Sequence, residues 1–583
     1  MLPYMKEIPT NRKLISAFGG YNHNLSIGEG EFFDMENLCG DDYPVLSTRR
    51  PRGLYASPAR AQGMISKEDL CYVDGADFVI GDRHIDMELT RDDSPKQLIS
   101  MGAYVIILPD KKYINTADTE DRGEIEASVA TLDGVTFYLS RADGTVYDNA
   151  PAAETAPEAP ENGDLWMDTS DKTHVLKQYS AATSEWVTVM ATYIRLYAKG
   201  IGAPFRVGDG VVIEGITLSA LSDLNGTMTL VDRGEDYIVV PGIIDHVYRQ
   251  TGSITVSRRM PRLDFMIESE NRLWGCRYGT DINGETVNEI YACKLGDFRN
   301  WNVFEGISTD SYAVTVGSDG PFTGAITHLG SPLFFKEHCV HKIYGSYPAN
   351  FRVLTTACRG VQRGCDRSLA IVGETLYYKS RSAVCAFDGS LPKEISAALG
   401  DTAYCDAAAG ALRNKYYITM EDEDGRSHFF VYDTARRLWH REDSTRAALF
   451  CAHGGELYFM DGANGAIRTV MGRGIRDAEE SMPWMAQSGL IGAMDPDQKY
   501  LTRLDIRLTM TLGADIDIYV EYDSSGEWDH VYTKQAPSLR SVTIPIRPRR
   551  CDHLRLRLEG TGAAKIYSIC KTMENGGVDY VQH

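Results

Sequence analysis

"SPLFFKEHCVHKIYG", residues 331–345, carries an aromatic pair, a polar turn and a second apolar run. The same layout returns in "TLYYKSRSAVCAFDG", in "KYYITMEDEDGRSHFFVYDTARRLWHRED" and in "ELYFMDGANGAIRTVMG". The pairs are Phe334 and Phe335, Tyr377 and Tyr378, Tyr416 and Tyr417, Tyr458 and Phe459, so the step is 43, 39 and then 42 residues. A period of about 40–45 residues built from short strands is the signature of β-propeller blades. Each repeat has room for about four strands of 5–6 residues with their turns. Weaker copies lie upstream, in "LDFMIESENRLWGCRYGTDINGETVNEIYACKLGDFRNWNVFEG" from Leu263, in "MISKEDLCYVDGADFVIGDRHIDME" and in "QLISMGAYVIILPDKKYINTAD". The expectation is an all-β chain with a propeller of about seven blades.

The first repeat also holds His338, Cys339 and His341. A zinc site needs three or four ligands converging from two directions. On a strand, Cys339 and His341 share one face and His338 takes the other. The sister repeats have Ser380, Arg381 and Ser382, or Asp461, Gly462 and Asn464, at this point and bring no further ligand. The cluster therefore reads as a blade hairpin turning near Glu337 and His338, with neither a metal site nor a Cys/His nucleophile.

The chain has 583 residues, 43% hydrophobic and 10% aromatic, with a net charge of −21. That length exceeds one ordinary core. The acidic balance argues against a broad grip on nucleic acid, which needs clustered Lys and Arg. Twelve cysteines are scattered without a CxxC pair, which reads as reduced, mostly buried thiols. "MLPYMKEIPTNRK" lacks the apolar core of a signal peptide, and no apolar run approaches the ~20 residues of a membrane-spanning helix.

Four regions follow. Residues 1–119 read as an N-terminal lead-in and the first blades. In 120–257 the repeat vanishes. "DNAPAAETAPEAPENGD" there looks like an exposed linker, and "GDLWMDTSDKTHVLKQYSAATSEWVTV" like a hairpin with Trp166 and Trp186 at its ends. "YIRLYAKGIGAPFRVGDGVVIEGI" turns at Gly208, Asp209 and Gly210, so this region reads as an inserted β lobe. Residues 258–472 hold the remaining blades. Residues 473–583 alternate polar and apolar positions, as in a jelly-roll-like sandwich. One short helix is expected over 474–487, limited by Pro483.

No GxSxG, P-loop or HExxH motif occurs. "SRADGTVYD", residues 140–148, is loosely like a sialidase Asp box. The run Glu421, Asp422, Glu423, Asp424 and Gly425 reads as a solvated hairpin tip, since no bidentate Glu follows at calcium-loop spacing. "RRPRG" from Arg49 and "RPRRCDHLRLRLEG" from Arg547 read as strand-edge charges. These readings leave no catalytic, cofactor-binding or metal residue to name, and the expectation is a chain that is not an enzyme.

"FGGYNHNLSIGEGEFFDMENLCGDDYPVLSTRRPRG", residues 18–53, resembles the start of bacteriophage tail propellers, with a glycine-rich opening, a "MENL"-like phrase and a basic run into the first blade. The layout of residues 317–389 is similar to the tail-hub or nozzle proteins of short-tailed phages, also called packaged-DNA stabilisation proteins. The resemblance implies a structural virion protein of the tail, made in the host bacterial cytoplasm. It implies a homo-oligomeric ring, commonly a hexamer, below the portal and adaptor, that retains packaged double-stranded DNA and passes it during ejection. It carries over no active-site residue. Two other readings stand beside it: a carbohydrate-active or sugar-binding propeller, and a tail component that reads the host cell surface through the Trp-bearing insertion.

Overall fold

Each aromatic pair lies on the second strand of an antiparallel sheet, four-stranded for the first three pairs and five-stranded for Tyr458 and Phe459, in the computed structural model, which describes residues 10–92, 94–281, 284–476, 482–494 and 497–575. Neighbouring strand residues point to opposite faces, so each pair fills the space on both sides of its blade. Phe335 meets Tyr378 of the next blade at 5.2 Å between ring centroids, and Tyr377 meets Tyr416 of the one after at 5.3 Å. Tyr417 and Phe459 then share one buried cluster, and Tyr458 shares another with Tyr72. The repeat is thus a chain of aromatic contacts between successive blades.

Seven blades are present among the described residues, spanning 61–86, 97–124, 265–315, 324–357, 370–394, 404–441 and 447–469. Their innermost strands pack on one another in sequence order, and that of blade 7 packs on that of blade 1, which closes the circle. Between blades 4 and 5 the contact runs through the turn Asp366–Ser368. Blade 7 supplies three strands of its own, and its fourth is Gly53–Ala56, paired with Ile467–Thr469. A side chain at position 53 would meet the Arg473 carbonyl at 2.1 Å, so only glycine fits this joint.

The C-terminal residues form two packed sheets. One contains Lys499–Met510, Arg540–Ile544 and Ala564–Asn575; the other contains Pro483–Ser488, Asp515–Tyr522, Asp529–Lys534 and Leu554–Thr561. The sheets are completed from the other end of the chain. Thr10–Ile15 pairs with Ala564–Asn575, and Glu31–Glu36 with Pro483–Ser488. Leu38–Cys39 and Leu46–Thr48 extend the first sheet. This corrects the placing of the N-terminal region with the first blades: residues 10–48 belong to the sandwich, where Phe18, Phe32, Met35, Leu38 and Leu46 are buried. The expected helix over 474–487 is corrected as well. Ile475–Arg476 and Pro483–Ser488 are strands, and positions 477–481 lie outside the described residues.

Residues 127–258 form three further sheets between blades 2 and 3, around a core of their own that includes Phe137, Leu196, Ile213 and Val256. The first and last strands, Ala127–Ala130 and Thr255–Arg258, pair antiparallel, so the chain leaves this lobe beside the point where it comes in. The buried ion pair Arg258–Asp209, at 2.5 Å, ties the lobe's base, and Asn300 of blade 3 donates to Asp209 at 3.1 Å.

Candidate functional site

The hairpin of residues 331–345 turns at Glu337 and His338, between Ser331–Lys336 and Cys339–Tyr344. His341 is fully buried, with Nε2 2.8 Å from Ser318 Oγ and Nδ1 2.9 Å from Thr355 Oγ1. Cys339 Sγ lies 3.8 Å from the same Nε2. Burial, aided by the Lys336 ammonium, lowers the His341 pKa to about 4 and keeps the ring neutral. Lys336 is itself buried, bonded to Asn288 Oδ1 and the Ser318 carbonyl, both at 2.8 Å. The described residues hold no group of three or more His, Cys, Asp or Glu arranged for a metal.

The acidic run forms the turn between Lys415–Asp422 and Ser427–Asp433. Asp422 accepts from the Asp424 and Arg426 backbone N–H groups and bonds the His428 ring at 2.8 Å, which organises the turn. The Asp-box-like stretch is also a turn, where Asp143 accepts from the Thr145 N–H. Trp166 and Trp186 meet edge to face at 5.5 Å, and Trp166 is buried with its Nε1 donating to the Ala153 carbonyl. The Trp pair is therefore the small core of its own hairpin sheet. All twelve cysteines are free thiols; Cys339 and Cys385 are buried, Cys451 is half-buried and Cys405 is exposed.

Two carboxyl groups lie together beside the inner strands of blades 5 and 6. Asp366 opens the turn that packs on Tyr404–Leu412, and Asp406 sits at the bulge of that strand. Burial pushes the Asp366 carboxyl above its usual range; Arg367 opposes this and Asp406 adds to it. Asp406 is exposed and pairs with Arg446. No sequence motif marks this pair, because its members stand 40 positions apart on different blades.

The third feature is the joint between propeller and sandwich. The sandwich docks on Leu438–Arg441, the outer strand of blade 6. A side chain at Gly20 would meet the Trp439 carbonyl at 2.3 Å, and φ there is +77°, which explains the glycine at that position. Arg441 pairs with Asp34 at 2.8 Å. Arg52 is buried, bonding Asp443 at 2.8 Å and Glu442 at 2.9 Å, with its guanidinium 4.5 Å from the Phe429 ring centroid. Arg49 adds a bond to Asp443 at 3.2 Å. "RRPRG" is thus the bolt of the joint, where the sequence alone suggested edge charges. A groove of about 630 Å³ opens beside it, lined by residues of the N-terminal segment, blade 6 and the sandwich.

No protein-family model and no curated protein matches the chain. Among solved structures it is similar to an exo-β-1,3-galactanase from Phanerochaete chrysosporium, at 9% identity over 52% of this chain and 94% of that one, with a TM-score of 0.19. It is similar to Trypanosoma rangeli sialidase at 9% identity, over 91% and 97%, with a TM-score of 0.22. The extracellular domain of a putative one-component system from B. thetaiotaomicron gives 10% identity, over 91% and 98%, at 0.21. At such identities and TM-scores no substrate, residue role or family passes to this chain. The likeness does correct one expectation. The neighbours include glycoside hydrolases and a sialidase, so missing catalytic motifs in an all-β propeller do not make the chain a non-enzyme.

Proposed function

We propose that the chain is a structural subunit of a bacteriophage tail, assembled as a ring that continues the DNA-exit channel. The observation that carries this reading is the course of residues 18–53, the stretch that resembles the opening of tail propellers. It gives strands to both sheets of the sandwich, crosses the joint with Arg49 and Arg52, and leads into the strand that closes blade 7. Propeller and sandwich are thereby fastened by a buried ion network, a form suited to a subunit that transmits force between neighbours. Mass photometry of the purified chain tests the reading. Closed oligomers of fixed copy number are expected; a monomer throughout the micromolar range would overturn it.

A second reading, a glycan-cleaving propeller, is favoured by Asp366 and Asp406. Glycosidases use two carboxyl groups, one as acid and one as base or nucleophile, and burial holds the Asp366 carboxyl above its usual range, as an acid requires. Release of reducing sugar from bacterial surface polysaccharide, lost in Asp366→Asn with the fold intact, would support it. Equal release by the variant and the original chain would remove Asp366 from that role.

A further inference from the structure

The sandwich leaves a groove at each end of its contact with blade 6, and the two grooves carry opposite charge. In the 630 Å³ groove six lining side chains are cationic: Arg49, Arg50, Arg413, Lys415, Arg436 and Lys565. Only Asp41 and Asp42 oppose them there. Lys415 pairs with Asp41 and Lys565 with Asp42, while Arg436 turns to Asp433 and Arg49 to Asp443. Arg50 and Arg413 are exposed and make no ion pair among the described residues. In a chain of net charge −21, this is a local reversal of sign.

The groove at the other end holds about 760 Å³ and is lined by Asp401, Asp422, Glu423 and Asp424 beside His23 and Asn24. Glu423 and Asp424 stand exposed at the tip of the blade 6 hairpin, with Arg426 3.4 Å from Asp424. Arg413 lies just before the strand Lys415–Asp422, and Glu423 directly after it. At about 3.4 Å per residue the two charges are roughly 30 Å apart, at opposite ends of one strand. They cannot meet within one molecule.

We propose that the basic groove receives the acidic hairpin tip, residues 421–424, of a second copy of this chain. The contact is head to tail, and a heterologous contact of this kind generates a ring when its rotation closes. The inference deepens the ring reading and rests on it. It also requires salt sensitivity, because the charges are exposed and screened at ionic strengths above about 0.1 M.

Sedimentation velocity at 50 and 500 mM NaCl tests the contact with two variants at exposed positions, Arg50→Glu/Arg413→Glu and Glu423→Lys/Asp424→Lys. Each variant alone presents like charges at the contact and is expected to associate at least ~10-fold more weakly than the original chain. An equimolar mixture of the two makes every contact complementary again and is expected to restore assembly, with high salt weakening it. Assembly of each variant equal to the original chain would overturn this contact and leave the ring reading standing. A monomeric original chain at both salt concentrations would overturn both. Salt-sensitive retention of duplex DNA by the original chain, lost in Arg50→Glu/Arg413→Glu, would assign the groove to phosphate and overturn the proposal.

Discussion

His341 and His440 are buried and neutral, each with a pKa lowered to about 4, in both cases by burial first and then by a nearby lysine, Lys336 or Lys415. Unfolded, each would titrate near 6.5. Between pH ~6.5 and ~4 the unfolded chain therefore binds more protons, so stability is full above that window and falls as pH drops through it. At pH 5 each histidine costs about 2 kcal/mol relative to pH 7. Denaturant midpoints at the two pH values should show this loss, and His341→Gln with His440→Asn should shrink it; an unchanged pH dependence would refute the assignment. The Asp443 carboxyl behaves in the same direction at lower pH: burial would raise its pKa, but Arg52 and Arg49 hold it below the usual range, so its contribution is lost as acid protonates it. Removing Arg52 leaves the buried Glu442 and the half-buried Asp443 with Arg49 as their remaining cation, so Arg52→Met should cost about 3–5 kcal/mol in urea unfolding. A loss below 1 kcal/mol would mean that the joint is not held by this network. None of this was legible in "RRPRG", because the partners Glu442 and Asp443 lie about 390 positions away.

The repeating elements were legible because their cause is local. A strand covered on both faces needs an apolar residue at successive positions, and Phe334 with Phe335 or Tyr416 with Tyr417 states that need directly. The strands of residues 10–48 are not legible for the opposite reason. Gly20–Tyr21 and Leu38–Cys39 are two residues long, and the sheets they complete are built at the far end of the sequence. The strand over the end of 474–487 follows similar logic: the pairing of Pro483–Ser488 with Leu554–Thr561 and Glu31–Glu36 outweighs local helix preference there. The lobe of residues 127–258 has its own core and adjacent ends, so replacing it by a short linker should leave a cooperatively folded propeller, read by circular dichroism and a single thermal transition. Global unfolding of that deletion would show that blades 2 and 3 depend on it. Alkylation in denaturant should add twelve adducts to the intact mass, while Cys405 reacts first in native buffer. A deficit of two or more adducts would reveal disulfides.

At the scale of the whole molecule, the charge of −21 and the proposed channel make one physical demand. A tube that passes duplex DNA must not hold it, since each phosphate contact would have to be broken at every step. The purified chain should therefore bind duplex DNA more weakly than the roughly 10⁻⁴ to 10⁻⁶ M of basic non-specific binders at physiological salt. Filter binding or fluorescence anisotropy reads this, and tight, salt-sensitive binding would contradict the conduit. The carboxyl pair and the charged grooves could not be seen in the sequence, because each is assembled from strand ends of different blades or from both ends of the chain. Electron cryo-microscopy of the purified chain images the proposed ring itself. A closed annulus around an open channel is expected, with the acidic hairpin tip of each copy seated in the basic groove of the next. Isolated single subunits at micromolar concentration and low salt would contradict it.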